Sequence, residues 1–133
     1  MGFKQIDMVP PQVTPITPPG KCHLFKLIEV TTDDTTESVK AMLPAAASVT
    51  NVYYYGDAVA GAGETVTINI SDNSGVISTG VLDAETDGAG NGLMQMSNLP
   101  NIESLPLQGD LKVSAVTTAT SGGPFRFLIE FVS

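Results

Sequence analysis

Apolar and polar residues alternate in several short segments of the chain. The most regular is "ETVTINI" at residues 64–70, in which Val66, Ile68 and Ile70 are separated by polar residues. Successive side chains of a β-strand point to opposite faces, so this period of two predicts a strand with one buried face and one face in water.

The last segment, "PFRFLIEFV" at residues 124–132, shows the same period with larger side chains. The aromatic and branched residues of one face predict a strand that anchors the core. The opposite face also carries Leu128 and Val132, beside Arg126 and Glu130. Apolar residues on both faces indicate a strand that is covered on both sides or lies in an interface.

The other strand-like segments are separated by turns rich in Gly, Ser, Asn and Asp. Residues 71–75, "SDNSG", predict a hairpin with a loop longer than two residues. Residues 39–47 are ambiguous, because Pro44 restricts the one helical turn that they would otherwise form. Residues 93–109 predict irregular chain over the core. Strands are predicted at residues 22–30, 48–55, 64–70, 76–82, 110–119 and 124–132.

Seven or so strands at short spacing, with no convincing long helix, predict an all-β fold. We expect an antiparallel β-sandwich or barrel, jelly-roll-like, formed by a single domain at residues 22–133. An extended, Pro-rich N-terminal arm at residues 1–21 precedes it, because residues 8–20 hold five of the nine prolines.

The arm differs from a flexible linker because it contains Val9, Val13 and Ile16. A polyproline-like backbone has little conformational freedom left to lose when these side chains dock. A disordered tail is the alternative. Our hypothesis is that residues 8–20 are an anchor that reaches a neighbouring subunit.

Charge and hydropathy narrow the classes of partner. The 133-residue chain has six basic and 14 acidic residues, a formal net charge of −8. This balance argues against nucleic acid, since phosphate binding needs clustered Lys and Arg. No run approaches the ~18 apolar residues of a membrane span, and the first residues lack a signal peptide, so we expect no membrane partner and synthesis in the cytoplasm.

One acidic segment, "DAETDGAGNG" at residues 83–92, resembles the start of a calcium loop, since Asp83, Glu85 and Asp87 occupy alternate positions before a glycine. Such a loop ends on a bidentate Glu at position 12, where this chain has Met94. A solvated turn is therefore favoured over a metal site, and the three carboxylates are a weak candidate.

Catalytic constellations are not evident in the sequence. His23 is the single histidine and Cys22 the single cysteine, and both lie in an apolar segment. A serine or cysteine nucleophile would need that histidine, and no nucleophile turn or phosphate-binding glycine motif accompanies it. We therefore expect a protein that is not an enzyme and has no cofactor.

Three consecutive tyrosines at residues 53–55 place Tyr53 and Tyr55 on one face of a strand and Tyr54 on the other. One face is expected to pack in the core. Tyr combines a large contact area with a polar tip, so the exposed face suits a protein interface or, less strongly, a sugar.

Taken together, the acidic β-domain, the arm "MVPPQVTPITPPG" and the final strand "PFRFLIEFV" resemble small structural proteins of tailed-phage virions, of the capsid decoration or cement type. The resemblance implies a non-enzymatic homo-oligomer, made in the host cytoplasm, that binds the major capsid protein or other virion subunits and stabilises the capsid lattice. Alternatives are a tail or head-to-tail component and, from another class, a carbohydrate- or Ca²⁺-binding β-sandwich module. Interface candidates are Val9, Val13, Ile16, Tyr53, Tyr55, Leu128 and Val132.

Overall fold

Eight strands make up the regular structure of the chain. The computed structural model describes residues 22–44, 47–55, 60–86, 90–97 and 111–132. Within these ranges no helix occurs, and none is therefore long and apolar enough to cross a membrane. The strands are β1 (His23–Val30), β2 (Ser38–Met42), β3 (Ser48–Tyr55), β4 (Thr65–Asp72), β5 (Gly75–Asp83), β6 (Asn91–Leu93), β7 (Lys112–Thr117) and β8 (Phe125–Val132).

The strands form two four-stranded antiparallel sheets, ordered β1-β8-β3-β6 in the first sheet and β2-β7-β4-β5 in the second. The pairs β1 with β8, β2 with β7, β3 with β6 and β4 with β5 are nested along the chain and alternate between the sheets. This is the strand order of a jelly roll. The all-β prediction is confirmed, and the architecture is a sandwich.

The inward faces of the two sheets form one hydrophobic core. Val66, Ile68 and Ile70 of β4 are fully buried, as the alternation of residues 64–70 predicted. Burial of such a side chain stabilises the fold by about 1.5 to 3 kcal/mol, as an upper estimate. The first sheet contributes the inward residues of β8 to the same core, namely Phe125, Phe127, Ile129 and Phe131.

Residues 94–97 close one side of the sandwich. The Met94 amide donates to the Val52 carbonyl in the first sheet (2.7 Å), and the Ser97 amide donates to the Thr79 carbonyl in the second (2.9 Å). Met94 and Met96 are buried beneath this crossing. Residues 93–97 therefore cover the core, as predicted, although β6 adds a short strand. Residues 98–110 lie outside the described ranges.

The opposite side is open at the start of β1. All five residues at 23–27 are exposed, whereas Ile28 and Val30 are buried. Leu24 lies on the inward face, opposite Phe131, yet remains 41% exposed. The second sheet therefore does not cover this end of β1.

Two local predictions need correction. The β4–β5 loop has only two residues, Asn73 and Ser74, because Asp72 pairs with Gly75. The Asp72 carboxylate accepts hydrogen bonds from the amide and hydroxyl of Ser74. Asp72 was predicted to lie in the turn, but it is the last residue of β4 and stabilises the turn from there. Residues 38–42, ambiguous in the sequence, form β2.

The contact between β5 and residues 94–97 generates a stability prediction. A Cβ atom at Gly80 would overlap the Met96 Sδ atom and lie 2.9 Å from the Gln95 backbone oxygen. Gly80→Ala should therefore lower the free energy of unfolding by about 1 to 3 kcal/mol, as overpacking does. Urea unfolding followed by circular dichroism measures this change.

The matched control is Gly61→Ala, since Gly61 is exposed and the three atoms nearest to its added Cβ all belong to the Glu64 side chain, the nearest at 3.3 Å. That variant should stay within about 0.5 kcal/mol of wild type, as exposed substitutions usually do. Equal stability of the two variants would mean that residues 94–97 do not press on β5 as described.

Candidate protein-interaction surface

The sequence-predicted interface residues of the described chain converge on one surface, the outer face of the first sheet. Tyr53, Tyr55, Leu128 and Val132 all point away from the core there. Tyr55 is 38% exposed and Leu128 is half-buried, whereas Val132 is only 2% exposed and offers little area of its own. The other three candidates, Val9, Val13 and Ile16, lie outside the described residues.

An apolar row crosses this face at right angles to the strands. Leu27 of β1 pairs with Leu128 of β8, Leu128 pairs with Tyr53 of β3, and Tyr53 pairs with Leu93 of β6. Side chains directly opposite each other on neighbouring strands lie in contact range. Leu27 and Leu93, at the two ends, are 50% and 61% exposed. We call these four residues the apolar row.

A β-bulge in β3 sets which tyrosines reach this face. The register with β8 shifts between Val49 and Asn51, so that Thr50 is the extra residue. Beyond the bulge Val52 points inward and is buried, while Tyr53 and Tyr55 point outward. Without the extra residue, the alternation that starts at Val49 would place both tyrosines in the core.

A polar cluster around Glu130 borders the apolar row on one side. The Glu130 Oε1 atom accepts hydrogen bonds from Asn51 Nδ2 at 2.8 Å and from the Tyr53 hydroxyl at 3.3 Å. The Oε2 atom lies 3.3 Å from His23 Nδ1. We call His23, Asn51, Tyr53 and Glu130 the Glu130 cluster. It joins β1, β8 and β3 through a single carboxylate.

The packing of the Glu130 cluster shifts the pKa values of Glu130 and Tyr53. Burial alone would raise the pKa of Glu130, but hydrogen bonds from neighbouring side chains, that of Asn51 foremost, and the charge of His23 outweigh burial and lower it. Burial and the adjacent Glu130 charge raise the pKa of the Tyr53 hydroxyl. The cluster therefore holds an ionised Glu130 beside a neutral phenol at neutral pH.

An ion pair between Arg126 and Glu29 borders the apolar row on its other side. Arg126 Nε lies 2.9 Å from Glu29 Oε2, and Tyr55 pairs with Arg126 on the neighbouring strand. The face thus has an apolar centre with a polar border on each side, and the exposed Phe25 lies beside Glu130 at the β1 end of one border. Protein interfaces commonly have this arrangement of an apolar core and a polar rim.

The outer face of the second sheet is different in kind. Its central strand β4 directs Thr65, Thr67, Asn69 and Ser71 outward, and Asn69 is hydrogen-bonded to Glu37 and Thr79. Four apolar side chains are 54 to 60% exposed there, but each lies beside a polar residue of the neighbouring strand: Val39 beside Ser114, Met42 beside Lys112, Val76 beside Ser71 and Val81 beside Thr67. No apolar row crosses this face within the described strands.

Three comparisons were made with known proteins. No match was found among protein-family models, curated proteins or solved structures. The residues of this chain therefore carry the functional argument.

The acidic segment forms a turn where the structure describes it. Asp83 Oδ1 accepts the backbone amides of Glu85 at 3.0 Å and Thr86 at 3.3 Å, an arrangement that stabilises the chain reversal after β5. Asp87 lies outside the described residues. Among those residues, no group of three or more His, Cys, Asp or Glu side chains is placed to hold a metal ion.

Sequence reasoning missed half of the apolar row. Leu27 lies in a segment with apolar residues on both faces, a signal that also marks its exposed neighbour Phe25. Leu93 was assigned to irregular chain and gave no signal. The sequence shows Glu130 only as a polar neighbour of Leu128 and Val132 on the outer face of its strand, whereas its hydrogen bonds come from residues that neither periodicity nor spacing brings together.

The lowered pKa of Glu130 predicts an acid-dependent loss of stability. The unfolded chain takes up the proton more readily than the folded one, so stability from this group is present above the ordinary Glu value of 4.5 and is lost as the pH falls through the lower folded pKa. Glu130→Gln should remove this part of the pH dependence and lower stability at pH 7 by about 1 to 3 kcal/mol.

The measurement is the midpoint of urea unfolding at several pH values between 7 and 3. Glu85→Gln, at an exposed carboxylate of the turn after β5, is the matched control and should keep the wild-type profile. A wild-type profile in Glu130→Gln would contradict the hydrogen-bonding role of the Glu130 carboxylate.

Proposed function

We propose that this protein is a non-enzymatic virion structural protein that binds and stabilises a phage capsid lattice from outside. The outer face of the first sheet makes the contact with the lattice. The observation that carries the proposal is the apolar row with its polar borders. Contiguous apolar patches rimmed by polar residues commonly mark interaction surfaces.

The fold supports the proposal by analogy. Jelly rolls occur in viral capsid domains and also in lectins, so the strand order favours these classes without choosing a function. The resemblance in composition to decoration proteins favours the capsid class. A protein lattice fits the surface better than a small ligand does, because the apolar row is spread across a sheet face and is not enclosed in a cleft.

Substitution of Leu93 tests the surface. Leu93→Lys places a charge at the most exposed end of the apolar row, and it should lower retention on purified particles by tenfold or more, since desolvating an unpaired ammonium opposes docking. Co-sedimentation of the purified protein with particles that lack it measures this effect.

Val81→Lys is the matched control, because Val81 is 56% exposed on the outer face of the second sheet, close to the 61% of Leu93. It should sediment like wild type. Equal losses in both variants would argue against a specific face, and a wild-type protein that never occurs in purified particles would overturn the proposal. Copy number per particle separates a decoration protein, present in many copies, from a tail or head-to-tail component, present in few.

A deletion tests the arm. Removal of residues 1–20 should leave a folded β-sandwich, because all eight strands and the buried side chains described above remain in the chain. Retention on particles should fall by tenfold or more, since docking of Val9, Val13 and Ile16 would supply a few kcal/mol per copy. Circular dichroism and co-sedimentation give the two readouts. Unfolding of the truncated protein would mean that the arm belongs to the core, and undiminished retention would remove its anchoring role.

A carbohydrate-binding module is the second candidate, and one observation favours it. Tyr53 and Tyr55 share the outer face with Asn51 and Glu130, which combines aromatic surface with hydrogen-bonding groups. Against it, the Tyr53 ring is half-buried and its hydroxyl is bonded to Glu130. Binding on a glycan array that Tyr55→Ala abolishes would favour this candidate over the lattice.

A further inference from the structure

We infer that the exposed end of β1 is a pairing site for a second copy of this chain. The two copies associate edge to edge through residues 23–27, antiparallel about a twofold axis at Phe25, and the two first sheets become one continuous sheet. The pairing requires no lattice, so it stands independently of the proposed function.

Strand β1 lies at an edge of the first sheet. Within the described residues, β1 pairs with β8 on one side and has no strand on the other. The free side of an edge strand presents unpaired backbone donors and acceptors, and another strand can add to it. Residues 23–27 lie along this edge, and all five are exposed. The exposed fraction is 54% for Phe25 and 50% for Leu27.

The inward face of residues 23–27 is exposed as well. Leu24 and Lys26 point to the side where the second sheet lies, yet both are exposed. An inward leucine that is 41% exposed is covered when another strand and its side chains lie beside it. Adding a strand therefore buries apolar area on both faces of the edge and pairs its backbone at the same time.

The backbone and side chains of residues 23–27 indicate which strand pairs with them. A strand partner needs free backbone amides, and the proline-rich residues 8–20 of this chain lack many of them. The segment 23–27 is complementary to itself. With Phe25 on the axis, Phe25 lies opposite Phe25 of the second copy, Leu24 opposite Lys26, and His23 opposite Leu27. Aromatic pairs on neighbouring strands are favourable, and no like charges oppose each other.

Lys26 selects this register. A twofold axis at Lys26 would set two ammonium groups directly opposite each other, which is unfavourable. An axis at Leu27 would draw the buried residues Ile28 and Val30 into the pairing.

The far edge of the first sheet is β6, with only three residues, so the assembly closes as a dimer and does not grow into a fibre.

Cysteine scanning reads the register directly. In a Cys22→Ser background, Phe25→Cys should form an intermolecular disulfide in high yield on mild oxidation, because residues on the axis have Cα atoms about 4.5 to 5.5 Å apart. Lys26→Cys and Leu27→Cys should not, because their copies are offset by two and four residues, which puts the Cα atoms about 8 Å apart or more. Cross-linking at 26 or 27 in preference to 25 would overturn the register.

Sedimentation equilibrium of the full chain tests the association itself. Wild type should be a dimer, and Phe25→Lys should raise the dimer dissociation constant by tenfold or more while circular dichroism stays unchanged. Val76→Lys, at a 56% exposed position on the edge strand of the second sheet, is the matched control and should dimerise like wild type. A monomeric wild type, or a dimer indifferent to Phe25→Lys, would overturn the inference without touching the Leu93 test of lattice binding.

Discussion

The two-residue alternation of β8 is the constraint on which the rest of the structure depends. Its inward aromatic and aliphatic residues are at most 5% exposed and belong to the core between the two sheets. Because the strand is flanked by β1 and β3, the same alternation fixes what the outer face displays. Leu128 then lies in the middle of the apolar row and Glu130 in the middle of the polar cluster. Core and surface are thus two sides of one periodic pattern.

Nested pairing explains how distant parts of the chain meet on that surface. The outer pairs of the nest join strands near the two ends of the sequence, so β1 and β8 become neighbours although about a hundred residues separate them. The hydrogen bonds of Glu130 cross from β8 to β3, while its contact with His23 crosses to β1. A carboxylate with partners on both flanking strands favours one mutual register of the three.

Periodicity predicted the strands wherever it was strong, as in residues 64–70 and 124–132, because burial of one face imposes the pattern directly. It failed where other forces decide. A strand of three residues such as β6 has no period to detect, and β2 was obscured by Pro44. The surface was only partly predictable for a related reason. Tyr53, Tyr55 and Leu128 carry local signals, whereas their alignment with Leu27 and Leu93 depends on cross-strand register, which one sequence does not encode visibly.

The bulge at Thr50 shows how little sequence separates an interior from an exterior. One additional residue in β3 reverses which side chains of the rest of the strand face the core and which face water. Insertions and deletions are therefore a different kind of evolutionary step in a sheet from substitutions. A substitution alters one contact, whereas a single-residue insertion can present a whole new surface to a partner with almost no new side chains. In a β-sandwich, a single-residue insertion can therefore replace a binding surface in one step.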